Sequence, residues 1–170
     1  MSTENPHLSR AFVSALQQHF PPDKLLFNDA ERWTYGYDNS RQHSLPGVVV
    51  IPDNQNDVAA LLALCHQHKV PLVARGSGTG TAGAAVPICH GAVLSTERLN
   101  RIVKIDPNNR VMVVEPGVTN QQVQEAAAEH GFFWPPDPTS AAICTVGGNL
   151  AYNSAGPRAV KYGTPRENTL

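Results

Sequence analysis

The sequence predicts an α+β fold with two lobes, a small parallel βαβ lobe followed by a lobe of mixed or antiparallel strands. Apolar runs at 47–51 and 70–74 flank a helical pattern, which is the spacing of two parallel strands joined by a crossover helix. After residue 91 the apolar runs are short and are joined by turn residues, which is typical of antiparallel strands.

The first predicted element is an amphipathic helix that ends before Pro21-Pro22. Its helical spacing is shown by the apolar residues Leu8, Phe12, Val13, Leu16 and Phe20. Residues 28–46 are polar and aromatic without a clean period. We therefore predict an irregular segment there, whose aromatic side chains pack and take no part in chemistry.

The parallel lobe begins with Gly47-Val-Val-Val-Ile51, a continuous apolar run that is typical of a strand buried on both faces. Asn54 or Asn56 is expected to cap the next helix, and a second strand is predicted over Val70 to Ala74. The apolar stripe of that helix is predicted to be Val58, Leu61, Leu62 and Cys65. Ligands bind beyond the carboxyl ends of parallel strands, so the residues after Ala74 lie at a predicted binding edge.

Residues 76–83, the glycine loop, follow this strand directly. Their glycines can take positive φ and bring bare N–H groups close to a pyrophosphate. A plain surface loop is the alternative, but alternating glycines after a buried strand favour a ligand site. The loop also contains the letters G-x-G-x-x-G of a Rossmann dinucleotide site, which requires a helix directly after the glycines. Pro87 and Gly91 leave no room for that helix.

After the glycine loop the sequence pattern changes to short apolar runs joined by turns. Strands are predicted at 92–96, 102–105 and 110–115, the last two as a hairpin around Asp106-Pro-Asn-Asn109. Thr119 and Gln122 predict the capping box of a helix that runs through His130 and stops at Gly131.

A proline-fixed extended segment at 132–140 leads to a second ligand-contacting stretch. There the paired glycines Gly147 and Gly148 precede Asn149, a residue able to start a helix. Two such stretches in one chain indicate an elongated ligand, such as a dinucleotide.

Composition excludes several classes of function. The formal net charge is −1 and there is no basic run, so no nucleic-acid partner is expected. No apolar stretch approaches the roughly 20 residues of a membrane span, and the polar N-terminus does not resemble a signal peptide. The expected location is cytoplasmic, which leaves peripheral docking on the inner face of the membrane open.

Neither a disulfide framework nor a metal site is expected. The three cysteines are widely spaced and odd in number. His66 and His68 lie two residues apart in a predicted helix, so their side chains point to nearly opposite sides and cannot chelate one ion.

Taken together, these stretches resemble the FAD-binding PCMH-type domain of the vanillyl-alcohol oxidase and p-cresol methylhydroxylase superfamily. Within it, the chain is most similar to FAD-linked D-lactate dehydrogenases and glycolate oxidase flavin subunits. The resemblance covers 46–170 and leaves 1–45 as an N-terminal helix and irregular segment. Its motifs are Pro71-x-x-x-Arg75-Gly-Ser-Gly-Thr-Gly80, Glu115-Pro-Gly117, Asp137-Pro-Thr-Ser140, Gly147-Gly-Asn149 with Asn153, and Lys161-Tyr-Gly163.

The resemblance implies an extended FAD between two lobes. The pyrophosphate would be held by the backbone of Arg75, Gly76, Ser77, Gly78, Thr79 and Gly80. The path to the ribityl chain and flavin would be lined by Pro138, Thr139, Ser140, Gly147, Gly148, Asn149, Ala151 and Asn153. Some relatives bond flavin covalently through a histidine of the first glycine loop. Thr79 stands at the matching position, so noncovalent FAD is expected.

The implied activity is oxidation of a D-2-hydroxy acid of the D-lactate or glycolate type. Hydride passes from the substrate Cα to flavin N5 while a base removes the hydroxyl proton, and a quinone, cytochrome or other redox protein accepts the electrons. Relatives are much longer, so we expect a domain truncated at its C-terminus that is inactive alone. Its catalytic residues are unknown, and His90, Arg158 and Lys161 are the candidates should this chain alone prove active.

Two alternatives stay open. One is a noncatalytic or remnant flavin-binding module. The other is a flavoenzyme of the same fold with another substrate, such as a sugar or alditol oxidase or an enolpyruvyl reductase.

Overall fold

The structure is a computed structural model that describes residues 8–170 and divides into two compact units, Met1–Arg98 and Leu99–Leu170. The start of the predicted 1–45 segment and the N-terminal stretch that does not resemble a signal peptide lie outside the described residues. The helices and strands of the first unit are α1 (Arg10–His19), β1 (Leu25–Leu26), α2 (Asp29–Trp33), β2 (Val48–Val50), α3 (Gln55–His68), β3 (Leu72–Arg75) and β4 (Ala92–Ser95).

The two long helices form where the sequence predicts them. Ser9 caps α1 by accepting a hydrogen bond from the backbone N–H of Phe12 at 3.2 Å. Asn54, and not Asn56, caps α3, because its side-chain oxygen accepts from the N–H groups of Asn56 and Asp57. A left-handed Lys69 with φ 56° ends α3 two residues before Pro71.

The first sheet has the order β1-β2-β4-β3, in which β1 is antiparallel to β2 and the other neighbours are parallel. The two predicted strands β2 and β3 are parallel, but each pairs with β4 and not with the other. The expectation that 92–96 belongs with the later antiparallel strands is therefore wrong. Its four residues are all buried, which fits the central strand of a sheet covered on both faces.

Alternate residues of β2 face different cores. Val48 and Val50 belong to the larger core, which also contains Phe12 and Leu16 of α1 and Leu61 of α3. The opposite face carries a smaller core of Val49, Ile51 and Val93, against which Tyr35 packs. The predicted stripe of α3 is wrong at Leu62, whose surface is 51% exposed, because it follows Leu61 by one position and points away from the sheet.

The predicted irregular segment at 28–46 contains a short helix, α2, which Asn28 caps through the N–H of Ala30. Tyr35 packs as predicted, whereas Trp33 is 57% exposed and its ring lies 3.8 Å from the ring of His43. Beyond α2 the chain turns back on itself, with a β-bridge between Tyr37 and His43.

The second unit begins with the predicted hairpin. Its elements are β5 (Ile102–Asp106), β6 (Val111–Val114), α4 (Asn120–Ala128), α5 (Val146–Tyr152) and α6 (Ala159–Tyr162). Strands β5 and β6 are antiparallel, and Asp106 stabilises their turn by accepting from Asn109. The capping box of Thr119 and Gln122 is present at α4. Helix α4 ends at Ala128, two residues earlier than predicted, and Gly131 follows with φ +75°.

Helix α5 starts earlier than the sequence indicates. Thr145 is its N-cap and accepts from the N–H of Gly148, so the paired glycines lie inside the first turn and Asn149 does not start the helix. The core of this unit consists of Val118, Val123 and Val146, with Met112, Val114 and Trp134 packed against it. The α+β class is confirmed. Within residues 8–170, no helix has the length and apolar character needed to cross a membrane.

Candidate cofactor site

The residues predicted to contact a cofactor fall into two groups. Arg75 to Gly80 belong to the first unit, and those between Pro138 and Asn153 belong to the second.

The glycine loop begins where β3 ends. Arg75 is the last residue of β3 and is paired with Ser95 in the parallel ladder. Its carbonyl oxygen accepts from the backbone N–H of Thr96 at 2.9 Å. No helix lies between residue 76 and residue 91 in the described chain, so the ground for rejecting a Rossmann site is confirmed.

The N–H groups of this loop are its main chemical feature. Within residues 8–170, no acceptor receives a hydrogen bond from the backbone N–H groups of residues 76–81. The hydroxyl groups of Ser77 and Thr79 likewise have no hydrogen-bond partner in the described part of the chain. Successive backbone N–H groups in a turn can form a nest that binds anions, and these N–H groups are not engaged by acceptors of the described chain.

The carbonyls of Thr79 and Gly80, in contrast, accept hydrogen bonds from the protein. Asn39 donates its backbone N–H to the carbonyl of Gly80 at 2.9 Å and its side-chain Nδ2 to the carbonyl of Thr79 at 3.3 Å. No pattern in the sequence indicates this role, because Asn39 lies in a segment without periodicity and far from the loop along the chain.

Arg75 contributes its side chain to the support of the loop. The guanidinium donates to the carbonyl oxygens of Thr34 and Tyr37 and is buried, which lowers its pKa below the usual value. A Cβ atom on Gly78, whose φ is +68°, would lie 2.3 Å from Arg75 Nη2. Gly78 is thus required both by its backbone conformation and by the guanidinium beside it.

A small polar cluster lies next to this support. The Tyr35 hydroxyl donates to Glu97 Oε2 at 2.9 Å, and the buried Ser95 donates to the same oxygen at 2.9 Å. Burial, together with the hydrogen bond to Glu97, raises the pKa of Tyr35 to about 12. The tyrosine is therefore a neutral donor at physiological pH.

In the second group the backbone is largely occupied. The N–H of Gly147 donates to the carbonyl of Pro116 at 2.9 Å, and the N–H of Gly148 donates to Thr145 Oγ1 at 3.2 Å. A Cβ on Gly147 would lie 2.7 Å from Pro116 Cβ. Gly147 thus permits close packing of α5 on Pro116, and its backbone N–H is not available to a ligand.

Asn120 organises this group, although no motif in the sequence marks it. Its side chain is fully buried and donates from Nδ2 to the carbonyl of Pro136 at 3.0 Å. Its Oδ1 accepts from the indole N–H of Trp134 at 3.0 Å and from Asn149 Nδ2 at 3.2 Å. The indole can only donate, so it determines which end of the Asn120 amide faces Asn149. Asn149 consequently faces Asn120 with its NH₂ group.

The remaining residues of the second group are more exposed. Ala151 lies on the solvent side of α5, and Asn153 is the left-handed C-cap of that helix with φ 52°. Asn153 Oδ1 accepts from the N–H of Arg166 at 3.2 Å. The hydroxyl groups of Thr139 and Ser140 have no hydrogen-bond partner among the described residues, so they are free to contact a ligand.

The conditional catalytic candidates have other contacts. His90 Nδ1 lies 3.0 Å from the carbonyl oxygen of Leu45, and Arg158 pairs with Asp137 at 3.3 Å. Lys161 Nζ lies 4.9 Å from the ring centroid of Tyr162. The described residues contain no group of three or more His, Cys, Asp or Glu side chains placed to hold a metal. Burial raises the pKa of the Cys65 thiol to about 11.

The first group fits a dinucleotide. A pyrophosphate presents anionic oxygens that accept hydrogen bonds, and residues 76–81 present N–H groups that lack acceptors in the described chain. A Cβ at Gly78 would meet the Arg75 guanidinium that supports this loop. The second group fits less directly, since it offers the hydroxyls of Thr139 and Ser140 but few free backbone donors.

Comparison with known sequences agrees with this fit. A sequence model described as FAD binding domain matches residues 46–170. The glycolate oxidase subunit GlcD of Escherichia coli strain K12 is 39% identical over 167 residues, which are 97% of this chain and 34% of that protein. The D-lactate dehydrogenase of Archaeoglobus fulgidus is 45% identical over 123 residues, which are 72% of this chain and 27% of that protein. The chain thus spans between about a quarter and a third of the length of these curated relatives.

Solved structures show the same fold. An alkyldihydroxyacetonephosphate synthase has a TM-score of 0.86 at 24% identity, over 98% of this chain and 37% of that one. A p-cresol methylhydroxylase with bound substrate has a TM-score of 0.72 at 24% identity, over 86% of this chain and 30% of that one. The family itself is shown by the sequence comparisons, since the family model matches residues 46–170 and a relative is 39% identical over 97% of the chain. The chain belongs to the FAD binding domain family.

Proposed function

We propose that this chain is the FAD-binding portion of a flavin-dependent oxidoreductase that oxidises a D-2-hydroxy acid of the D-lactate or glycolate type. The observation that supports the substrate class is the identity of 39% to a glycolate oxidase subunit over 97% of the chain. The 45% identity to a D-lactate dehydrogenase supports the same class. FAD, when bound, supplies a two-electron acceptor for the hydride of the substrate.

The residues of this chain hold and orient the cofactor in our proposal. The N–H groups of residues 76–81 donate to the pyrophosphate, and the hydroxyls of Ser77 and Thr79 add donors beside them. Asn39 and Arg75 keep the loop in the required conformation. In the second unit Thr139 and Ser140 supply hydroxyl groups, and Asn120 fixes the amide of Asn149.

We propose that FAD is held without a covalent bond. The covalent link that some relatives make through this loop uses a histidine ring nitrogen, and Thr79 at the matching position offers only a hydroxyl. Acid precipitation of the purified flavoprotein tests this, because noncovalent FAD then remains in the supernatant with the chromatographic mobility of authentic FAD. Flavin that stays with the precipitate would contradict the proposal.

The substrate class is tested by assay of the purified full-length gene product with an artificial electron acceptor. Glycolate, D-lactate and D-2-hydroxyglutarate are the substrates to compare, since a D-2-hydroxyglutarate dehydrogenase is 31% identical. We expect turnover of at least one of these three acids. Glycolate is achiral, and for the two chiral substrates we expect no turnover of the L enantiomer. Activity with sugars or phenols only would exclude the proposed class.

The 170-residue chain alone is proposed to be inactive, because relatives devote between about a quarter and a third of their length to the matched region. Turnover by this chain would place the catalytic groups within it and return attention to His90, Arg158 and Lys161. We further propose a quinone, a cytochrome or another redox protein as the electron acceptor. The proposed location is cytoplasmic, which leaves peripheral docking on the inner face of the membrane open.

A further inference from the structure

Residues 34–44, here named the clasp segment, contact the glycine loop although they precede the range that the family model matches. The segment is closed on itself by the bridge between Tyr37 and His43 and by a hydrogen bond from Ser44 N–H to the Gly36 carbonyl at 2.9 Å. Inside it, Asp38 is buried and accepts from the N–H of Ser40 at 2.9 Å. The clasp segment is thus an ordered turn and no mere connection.

Arg75 fastens this turn to the end of β3. Its guanidinium donates to the carbonyls of Thr34 and Tyr37, and its backbone carbonyl is held by Thr96 in the sheet. One residue therefore links the clasp segment, the central strand of the sheet and the start of the glycine loop. Because the guanidinium is buried, a shift of the clasp segment would leave charged donors unpaired in the interior.

Asn39, at the exposed tip of the clasp segment, then controls the direction of the loop N–H groups. In a trans peptide the C=O of one residue and the N–H of the next point in opposite directions. Asn39 holds the carbonyls of Thr79 and Gly80, so the N–H groups of Gly80 and Thr81 point away from it. Those are two of the N–H groups that have no acceptor within residues 8–170.

We propose that the clasp segment is part of the cofactor-binding machinery and that Asn39 is a positioning residue for the pyrophosphate nest. The inference rests on the proposed binding of FAD and adds a segment from outside the matched family range. Asn39 does not touch the phosphate in this proposal. It acts by turning two loop carbonyls inward so that the N–H groups of the loop remain available to the anion.

The test measures FAD affinity and protein stability separately. Asn39→Ala removes the side-chain donor to Thr79 and leaves the backbone N–H to Gly80 intact. Asn39→Asp also removes the donor and places a carboxylate against the Thr79 carbonyl, which repels that carbonyl and adds negative charge to the loop. Asn56→Ala is the matched control, since Asn56 is an exposed asparagine of the same unit whose side chain makes no hydrogen bond among the described residues.

We expect Asn39→Ala to raise the FAD dissociation constant about tenfold and Asn39→Asp about a hundredfold, as measured by titration of the apoprotein. The control should stay within about twofold of the wild type. Melting temperatures of all flavin-free variants should agree within about 2 °C, because Asn39 is exposed.

Three results have distinct meanings. Failure of the wild-type chain to bind FAD contradicts the proposed function itself. Wild-type affinity in both Asn39 variants overturns the positioning role and leaves the proposed function intact. A large drop in the melting temperature of flavin-free Asn39→Ala would show that Asn39 stabilises the fold, which also overturns the inference.

Discussion

Two constraints act on Gly78, and a control substitution at Gly131 separates them. Its φ of +68° is unfavourable for any residue with a Cβ, and that Cβ would lie 2.3 Å from a guanidinium that already donates to two carbonyls. We expect Gly78→Val to abolish FAD binding, and Gly78→Ala to weaken it by at least about tenfold. Flavin content after purification and titration of the apoprotein measure these effects.

Gly131→Ala is the control for the backbone strain that a Cβ causes at positive φ. Gly131 has φ +75°, and a Cβ at this position would meet no atom within 4 Å, so only the backbone strain of about 1–2 kcal/mol applies. The free energy of unfolding in urea should fall by that amount while FAD affinity is retained. Full flavin content in Gly78→Val would show that the nest lies elsewhere.

Whether the role of a single residue can be predicted from the sequence depends on whether local backbone conformation or tertiary contacts determine that role. The glycines of the glycine loop are predictable because backbone conformation at a tight loop restricts the residue type directly. The roles of Asn39 and Asn120 are not predictable, because only the tertiary structure brings their partners near. The partners of Asn39 are Thr79 and Gly80. Those of Asn120 are Trp134 and Asn149. An asparagine side chain carries no periodic signal.

At the scale of elements, Lys24 joins the residues before β1 to the start of α3. Its Nζ lies 2.7 Å from both Asp53 Oδ2 and Asp57 Oδ2, and hydrogen bonds to Asp53 and then to Asp57 raise the pKa of Lys24. The bond to Lys24 lowers the pKa of Asp53. For Asp57, burial alone would raise the pKa, but the bonds from Lys24 and from the Asp53 N–H outweigh it.

These pKa shifts make the free energy of unfolding depend on pH, and the lowered carboxylate pKa values fix the sign of that dependence. A carboxylate with a lowered pKa in the folded state stabilises the fold above its unfolded pKa of about 3.9, and this contribution is lost as the pH falls through the folded pKa. We expect Lys24→Met to lower the free energy of unfolding at pH 7. The difference from the wild type should shrink as the pH falls below about 4.

Lys104→Met serves as the comparison, because Lys104 pairs with Asp106 at 3.6 Å on an exposed strand and should contribute little. Urea titrations from neutral pH into the acid range provide both curves. A Lys24→Met effect that persists unchanged in strong acid would show that lost packing, and not the ion pairs, causes it.

Element length explains which parts of the fold the sequence predicts. Helices α1 and α3 and the β5–β6 hairpin have caps, turns or several periods of apolar residues, and they form as predicted. Strand β1 has two residues and α2 has five, which is too short for a period to show. The position of β4 between β2 and β3 leaves no local mark either, since strand order depends on the whole sheet.

For the whole molecule, a ligand that binds only the folded state stabilises it to an extent that rises with ligand concentration. FAD at a hundred times its dissociation constant should therefore add about 2.7 kcal/mol to the free energy of unfolding. NAD should add none, because the glycine loop lacks the helix that a Rossmann site requires. Thermal melting of the 170-residue chain at a series of FAD and NAD concentrations measures both. Stabilisation by NAD and not by FAD would contradict the proposed cofactor.

The position of β4 between β2 and β3 also determines when the sheet can form during protein synthesis. Strands β2 and β3 have no ladder with each other, and both precede in the chain the parallel partner that they share, β4. The glycine loop lies between β3 and β4 in the chain, and the carbonyl at its start is held by Thr96, the residue directly after β4. The nascent chain therefore completes its parallel sheet and anchors the start of its glycine loop in the same step, once residues 92–96 have emerged.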